Sequence, residues 1–355
     1  MTIFFPLIIA FLLTVAITPL SIILIKKMGL LDNPKTHKHP GIIHKKITPR
    51  GGGIPLFVGI TITAIFFLPP TNTVVALFAA AFIALLIGIL DDKYDISPYI
   101  RFIGNIVVAL IIVKNGITIP FITNPFGGIL YLNSIILPFS IALSDIITIL
   151  WIIWVMNMLN WSKGVDGQMP GIVAISAITI GLLSLRFAGS DSFSQISVDL
   201  SFMIAGASLG FLIFNFHPAR IFPGYGATAI YLLLSVASIL SGAKLATAIL
   251  VMGIPMIDGL FTIMRRLLSG RSPFWHDKKH LHHLLLSFGA SQRQIALFYW
   301  IISAILGAIA LVLSSRAKLF AIIMLLIVVG GTLVFLHRIL NRIYDPFDKT
   351  QGHSE

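Results

Sequence analysis

Long uncharged apolar runs dominate this chain, and they leave few folds open to it. A hydrocarbon core of about 30 Å takes roughly 20 helical residues at about 1.5 Å each. Stretches near that length recur at eleven places: 3-25, 52-69, 73-90, 100-114, 143-159, 169-187, 199-215, 227-242, 244-262, 293-313 and 317-338. Inside a bilayer every backbone polar group has to be satisfied within the segment, so such runs predict helices. Composition agrees: 57% of residues are apolar and 11% charged, against roughly 45 to 50% and about 25% in soluble domains. The expected fold class is all-α, a polytopic membrane protein with about eleven transmembrane helices (10-11). A single domain over 1-340 and a polar cytoplasmic tail over 341-355 are expected. The opening run, "MTIFFPLIIAFLLTVAITPLSIILI", is too long and too uncharged at its front for a cleaved signal, and reads as a first span that stays.

Charge sets the orientation. With eleven crossings and the N-terminus outside, the loops expected in the cytoplasm (26-50, 91-101, 157-168, 215-226, 263-293, 338-355) hold 20 of the 25 Lys and Arg residues. Only Lys114, Arg186, Lys244, Arg316 and Lys318 fall on the other side, a strong positive-inside bias. The net charge of +12 therefore reads as topology and headgroup contact, and no soluble basic domain is present to carry nucleic acid. On the outer side, residues 115-142 alternate β-formers around an "NPFGG" turn and predict a small extracytoplasmic hairpin. The chain has no cysteine, which removes disulfides, thiolate nucleophiles and cysteine metal sites.

Polar residues gather in the loops assigned to the cytoplasm. In "GILDDKYDISPYIR" the adjacent Asp91 and Asp92 are costly to desolvate at a membrane helix end, which suits either a divalent metal or acid/base work; the other reading is helix capping by Asp95 and Ser97. Mg²⁺, which takes one or two carboxylates with phosphate oxygens, fits the pair better than zinc. The stretch "KKITPRGGGIP" sets Lys45, Lys46 and Arg50 beside three glycines, either a phosphate cradle or an ordinary helix entry. In "NFHPARIFPGYGAT", Asn215 and Arg220 can bond an anionic or amide-bearing ligand, or mark a turn with Arg220 reaching lipid headgroups. The stretch "RRLLSGRSPFWHDKKHLHH" crowds cations among His276, His280, His282 and His283, and the loop leads into a short amphipathic helix on which His280 and His283 share a face. That pattern suits phosphate or sugar recognition better than zinc, with an interfacial basic helix as the plainer reading. Together these features predict a cytoplasm-facing cleft for an anionic, diphosphate-containing substrate. A transporter is the main alternative, but it calls for charges at mid-membrane depth, and only Asp145, near an outer helix end, is a candidate.

The ordered motifs "GLLDNP", "TPRGGG", "GILDDKYDISP", "NMLNWSKGVDG", "NFHPARIF" and "PMIDGLFTIMRRLLSGRSPFWHDKKHLHH" resemble those of the polyprenyl-phosphate N-acetylhexosamine-1-phosphate transferases. The likeness runs from about residue 26 to 289. It implies transfer of a sugar 1-phosphate from a UDP-sugar to polyprenyl phosphate, with release of UMP, at the cytoplasmic face of the plasma membrane. It further implies Mg²⁺ on the diphosphate, Asp91 and Asp92 supporting the metal and deprotonating the lipid phosphate, and a homodimer. Asp166, with Asn157 and Asn160, matches the nucleotide site of the family. His280, His282 and His283 match its histidine cluster, and Arg271 with Lys45 or Lys46 its diphosphate or sugar contacts.

Two positions depart from that pattern. Lys163 and Tyr225 stand where the family writes aspartates, which removes two negative charges and adds one positive. Three readings follow: Lys163 replaces Mg²⁺ as counter-charge, with Tyr225 as hydrogen-bond donor or acid; the metal site is weakened; or the chain binds ligand without turnover. Retention of Asp91, Asp92, Asp166 and the histidines favours a working transferase.

Overall fold

The computed structural model describes residues 2-35, 43-44, 46-124, 127-189, 192-240, 245-275 and 277-350. The helices are α1 (Phe5–Lys27), α2 (Gly53–Phe67), α3 (Asn72–Tyr94), α4 (Pro98–Lys114), α5 (Leu143–Trp161), α6 (Gln168–Ser184), α7 (Ser192–Asn215), α8 (Thr228–Leu240), α9 (Leu245–Val251), α10 (Gly253–Leu268), α11 (Leu281–Ser287), α12 (Gln292–Val312) and α13 (Ser315–Thr350). Local chemistry sets several boundaries. The Thr71 hydroxyl accepts from the Val74 N–H to start α3, Ser97 with Pro98 starts α4, and a reciprocal Ser291 and Gln294 capping box starts α12.

Every one of the eleven predicted runs is helical, but not every helix is a full span. Six described helices are long and apolar enough to cross a membrane, or seven if the bent pair α9 and α10 counts as one. The others are short: α2, α4, α6 and α8 have 15, 17, 17 and 13 residues, about 20 to 26 Å of helix. In α8 every residue is buried, and α6 is nearly so, because α3, α5 and α7 enclose the first and α7 and α12 flank the second. Length in such enclosed helices is set by protein neighbours rather than by bilayer thickness. The core runs through α7 and α8, and small side chains bring helices close around it; a Cβ at Gly206 would lie 2.0 Å from the Leu7 carbonyl oxygen.

The predicted run at 244-262 is not one helix. It breaks at Met252, and its halves meet at 84°. Pro255 has no N–H for the Val251 carbonyl, and Gly253 gives the backbone freedom to turn. After the bend, α10 runs on to Leu268 and packs against α5 and α13.

The strands are few. The predicted hairpin region forms two small antiparallel ribbons. After β1 (Leu31–Asp32) and β2 (Thr48–Pro49), which pair with each other, β3 (Phe121–Thr123) pairs with β4 (Ile129–Tyr131) and β5 (Ile136–Leu137) with β6 (Ile141–Ala142). Asp145 lies in the first turn of α5, where it accepts from the Ser144 hydroxyl. It is therefore not a mid-membrane charge.

Candidate active site

Three backbone devices bring the polar loops to one place. First, β2 and the residues after it run along 222-223: the Phe222 N–H donates to the Pro49 carbonyl, Gly51 and Gly52 donate to the Phe222 carbonyl, and Gly53 donates to the Pro223 carbonyl. This fixes Arg50. Second, buried Asp92 accepts from the Tyr225 N–H at 2.8 Å, so the end of α3 holds the 3-10 turn Tyr225–Ala227. Third, buried Asn215 accepts from the Gly167 N–H at 3.0 Å and donates to the Ile221 carbonyl at 2.8 Å, tying the α5–α6 loop to the end of α7. Asn215 thus has both ends of its amide engaged by backbone.

The floor of the site is a set of buried ion pairs. Arg50 Nε lies 2.8 Å from Asp92 Oδ1, and Arg101 Nη1 lies 3.1 Å from each Asp91 oxygen. Burial opposes the Arg50 charge, but Asp92 and Asp91 outweigh it and hold the guanidinium above its ordinary pKa. Lys163 differs in kind. Its ammonium donates to a carbonyl, Gly224 O at 3.1 Å, and not to a carboxylate. Burial pulls its pKa down from 10.5 to about 7, Arg50 adding to the fall while Asp92 and Asp91 oppose it. Between the cations lies the Tyr225 ring, 5.0 Å from the Arg101 guanidinium and 5.7 Å from Lys163 Nζ. The Tyr225 hydroxyl, expected as donor or acid, accepts from Asn105 at 3.2 Å in the interior. What Tyr225 offers the cations is its ring.

Opposite this floor stand the histidines. Asp258 on α10 accepts from the Leu281 N–H at 2.9 Å and lies 2.9 Å from His280 Nδ1, so one carboxylate starts α11 and orients His280. Because an ionised carboxylate only accepts, Nδ1 carries the proton. His280 and His282 stack with centroids 5.6 Å apart. Burial drives the His282 pKa well below 6.5, and His283 falls to about 4 for the same reason, with neighbouring positive charge adding to both shifts. Both are neutral at pH 7. They suit hydrogen bonds to sugar hydroxyls and amides, and the phosphate charge is left to the floor.

Between the two lies a cavity of about 570 Å³. Of the residues chosen from sequence, Asn157, Asn160, Lys163, Asp166, Asn215, Tyr225, His280, His282 and His283 line it. Asp91 and Asp92 sit behind it under their arginines. Asp166 Oδ2 is held by the Ala219 N–H at 3.0 Å and by His217 Nδ1 at 2.8 Å. The Asn160 side-chain oxygen is buried with no partner among the described residues, an acceptor left for a ligand. Lys46 and Arg220 are exposed and outside the cavity, Arg271 stacks on Trp275 at 3.9 Å and lines a different one, and Lys45 lies outside the described residues. Sequence reasoning missed Arg50 and Arg101 as floor residues, along with Asp258 and Asp277. Arg50 and Arg101 lay inside the quoted motifs, and only the fold shows that they, rather than Lys46, reach the aspartates.

Such a floor next to neutral histidines is suited to a phosphorylated sugar donor. The sequence profile described as Glycosyl transferase family 4 matches residues 74-242. A Bacillus subtilis relative, "Probable undecaprenyl-phosphate N-acetylglucosaminyl 1-phosphate transferase", is 32% identical over 354 residues, covering 96% of this chain and 94% of that protein. The chain belongs to glycosyl transferase family 4. Two further family members are the Mycobacterium tuberculosis "Decaprenyl-phosphate N-acetylglucosaminephosphotransferase" and the Escherichia coli "Undecaprenyl-phosphate alpha-N-acetylglucosaminyl 1-phosphate transferase". The first is 33% identical over 91% of this chain and 86% of its own, and the second 29% over 80% and 76%.

Mg²⁺, which resemblance to this family implies, does not fit the donor set here. Asp91 and Asp92 face guanidiniums, an ammonium bonds the adjacent carbonyl, and no cluster of three or more His, Cys, Asp or Glu residues is present among the described residues. A divalent ion placed there would meet like charge from three side chains.

The loop carrying Lys163 also touches the histidines directly. A Cβ at Gly164 would sit 1.9 Å from His282 Nε2, so that buried ring would have to shift. Gly164→Ala is expected to cost about 1 to 3 kcal/mol, read as a lower melting temperature in detergent. In a His282→Ala background the added methyl has room, and the same substitution should then cost little.

Proposed function

We propose that this protein transfers an N-acetylhexosamine 1-phosphate from a UDP-sugar to polyprenyl phosphate, releasing UMP, at the cytoplasmic face of the plasma membrane. The observation that carries the reading is the Arg50, Arg101 and Lys163 floor facing neutral His282 and His283 across one cavity. The names of the relatives support the choice of lipid phosphate and sugar. In the reaction an oxygen of the lipid phosphate attacks the sugar-bearing phosphorus, the bridging P–O bond of the UDP-sugar breaks, and UMP leaves with the electron pair. Negative charge builds on the non-bridging oxygens and on the leaving phosphate. Lys163 is the cation best placed to meet it, since its partner is a neutral carbonyl, whereas the arginines are matched by aspartates. Asp91 and Asp92 act as positioning residues that hold Arg50, Arg101 and the Tyr225 turn. In this reading Lys163 supplies counter-charge in place of a metal.

The test is transfer from radiolabelled UDP-N-acetylglucosamine, and from a panel of UDP-sugars, to polyprenyl phosphate by the purified protein with Mg²⁺ or with chelator. Lipid-linked product is expected in both, and Lys163→Met should lower kcat/KM by roughly 10²- to 10³-fold, as loss of a preorganised charge contact does. Absence of product with every sugar under both conditions defeats the transferase reading. Product only with Mg²⁺ defeats the role given to Lys163.

The lowered Lys163 pKa adds a second expectation. The group titrates near pH 7 without ligand, and an adjacent diphosphate favours its charged form. At pH 8 the free site is mostly neutral, so binding takes up a proton and affinity falls as pH rises through this range. Calorimetry of UDP-sugar binding in buffers of different ionisation enthalpy should show that uptake, and Lys163→Met should abolish it. The stability sign is the reverse of the usual lysine case: because the folded pKa lies below the unfolded one, Lys163 makes folding more favourable as pH rises from about 7 towards 10.5.

A further inference from the structure

A second cavity, of about 400 Å³, lies where α10 packs against α13. Arg265, Arg266, Arg271, Lys279 and Arg338 line it, and no acidic residue is among its lining. A single carboxylate, Asp277, reaches this group from the side of the first cavity, 2.9 Å from Arg265 Nη2 and 3.2 Å from Arg266 Nε. Five cations so close together repel one another unless more negative charge arrives. One donor adds to the demand: Arg265 Nε is buried without a hydrogen-bond partner among the described residues, and Arg265 lines the cavity.

The walls say what kind of anion fits. Phe261, Trp275 and Val334 are its apolar lining, and the same two helices carry exposed apolar residues close by, Met264 and Leu268 on α10 and Phe335 on α13. A soluble phosphate has no use for that surface, whereas a two-tailed lipid does. We propose that this cavity seats the phosphate headgroup of an anionic phospholipid, with its acyl chains on Met264, Leu268 and Phe335. The proposal is independent of the transfer reaction. It has a consequence for the first cavity, because Arg266 and Trp275 line both: a headgroup phosphate competes with Asp277 for Arg265 and Arg266.

The full-length protein in nanodiscs of phosphatidylcholine, with or without phosphatidylglycerol, is released into detergent and its retained lipid counted by native mass spectrometry. The wild type is expected to keep a phosphatidylglycerol molecule and no phosphatidylcholine. Lys279→Ala with Arg338→Ala, two residues outside the first cavity, should cut that retention by roughly tenfold or more. The charge-keeping pair Lys279→Arg with Arg338→Lys should restore it. Equal retention of both lipids, equal retention by wild type and the alanine variant, or loss in the charge-keeping pair would each overturn the assignment. Inorganic phosphate distinguishes the source: it should leave the lipid in place, and if it instead displaces the lipid and alone raises the melting temperature of the wild type but not of the alanine variant, the site takes free phosphate and not a headgroup.

Discussion

Two carboxylates buried at the end of a membrane helix have to be neutralised, and the way this chain neutralises Asp91 and Asp92 organises the rest of the site. A lone buried carboxylate costs several kcal/mol. Here Arg50 comes from just after β2 and Arg101 from the first turn of α4, while the Tyr225 N–H closes the remaining side of Asp92. Four segments of the chain are therefore pinned to one point. The pinning places Gly224 O where Lys163 can reach it, and the Lys163 loop in turn brings Gly164 against His282.

The result is a division of labour between two walls. Charge is concentrated on the floor, where Asp91 and Asp92 each have a guanidinium and the Lys163 ammonium has a neutral partner. The opposite wall keeps His282 and His283 uncharged by burying them. A sugar diphosphate has the same two-part character, an anionic bridge and a neutral polyhydroxylated ring. Asp277 plays a similar role at the edge: the Lys279 N–H and Arg265 and Arg266 hold its pKa below the ordinary value in spite of burial, so it remains an anion between two cationic cavities.

Much of this was legible in the sequence because it depends on spacing along the chain. Apolar run length marked eleven stretches that are helical, the alternation in 115-142 gave a ribbon, and nine of the site residues chosen from the quoted motifs line the cavity. What could not be read depends on which partner each charge meets. Lys45, Lys46 and Arg50 look equivalent as letters, yet only the pairing of 49-53 with 222-223 decides that Arg50 reaches Asp92. Asp258, which the sequence reading passed over, is brought to His280 by the bend at Met252. That bend had a signal, Gly253 and Pro255, which the apolar run masked. Arg220 and Arg271 were reasonable from composition, but each turns away from the cavity it was expected to line.

The central claim is that side-chain cations, with Lys163 foremost, occupy the place of a divalent metal at the diphosphate. The most direct measurement is a structure of the protein with a UDP-sugar bound in the presence of Mn²⁺, with anomalous scattering used to locate the metal. The account predicts Lys163 Nζ within hydrogen-bond distance of a diphosphate oxygen and no anomalous peak in the cavity. A Mn²⁺ peak bridging the diphosphate to Asp91 or Asp92, with Arg50 or Arg101 displaced, would contradict it.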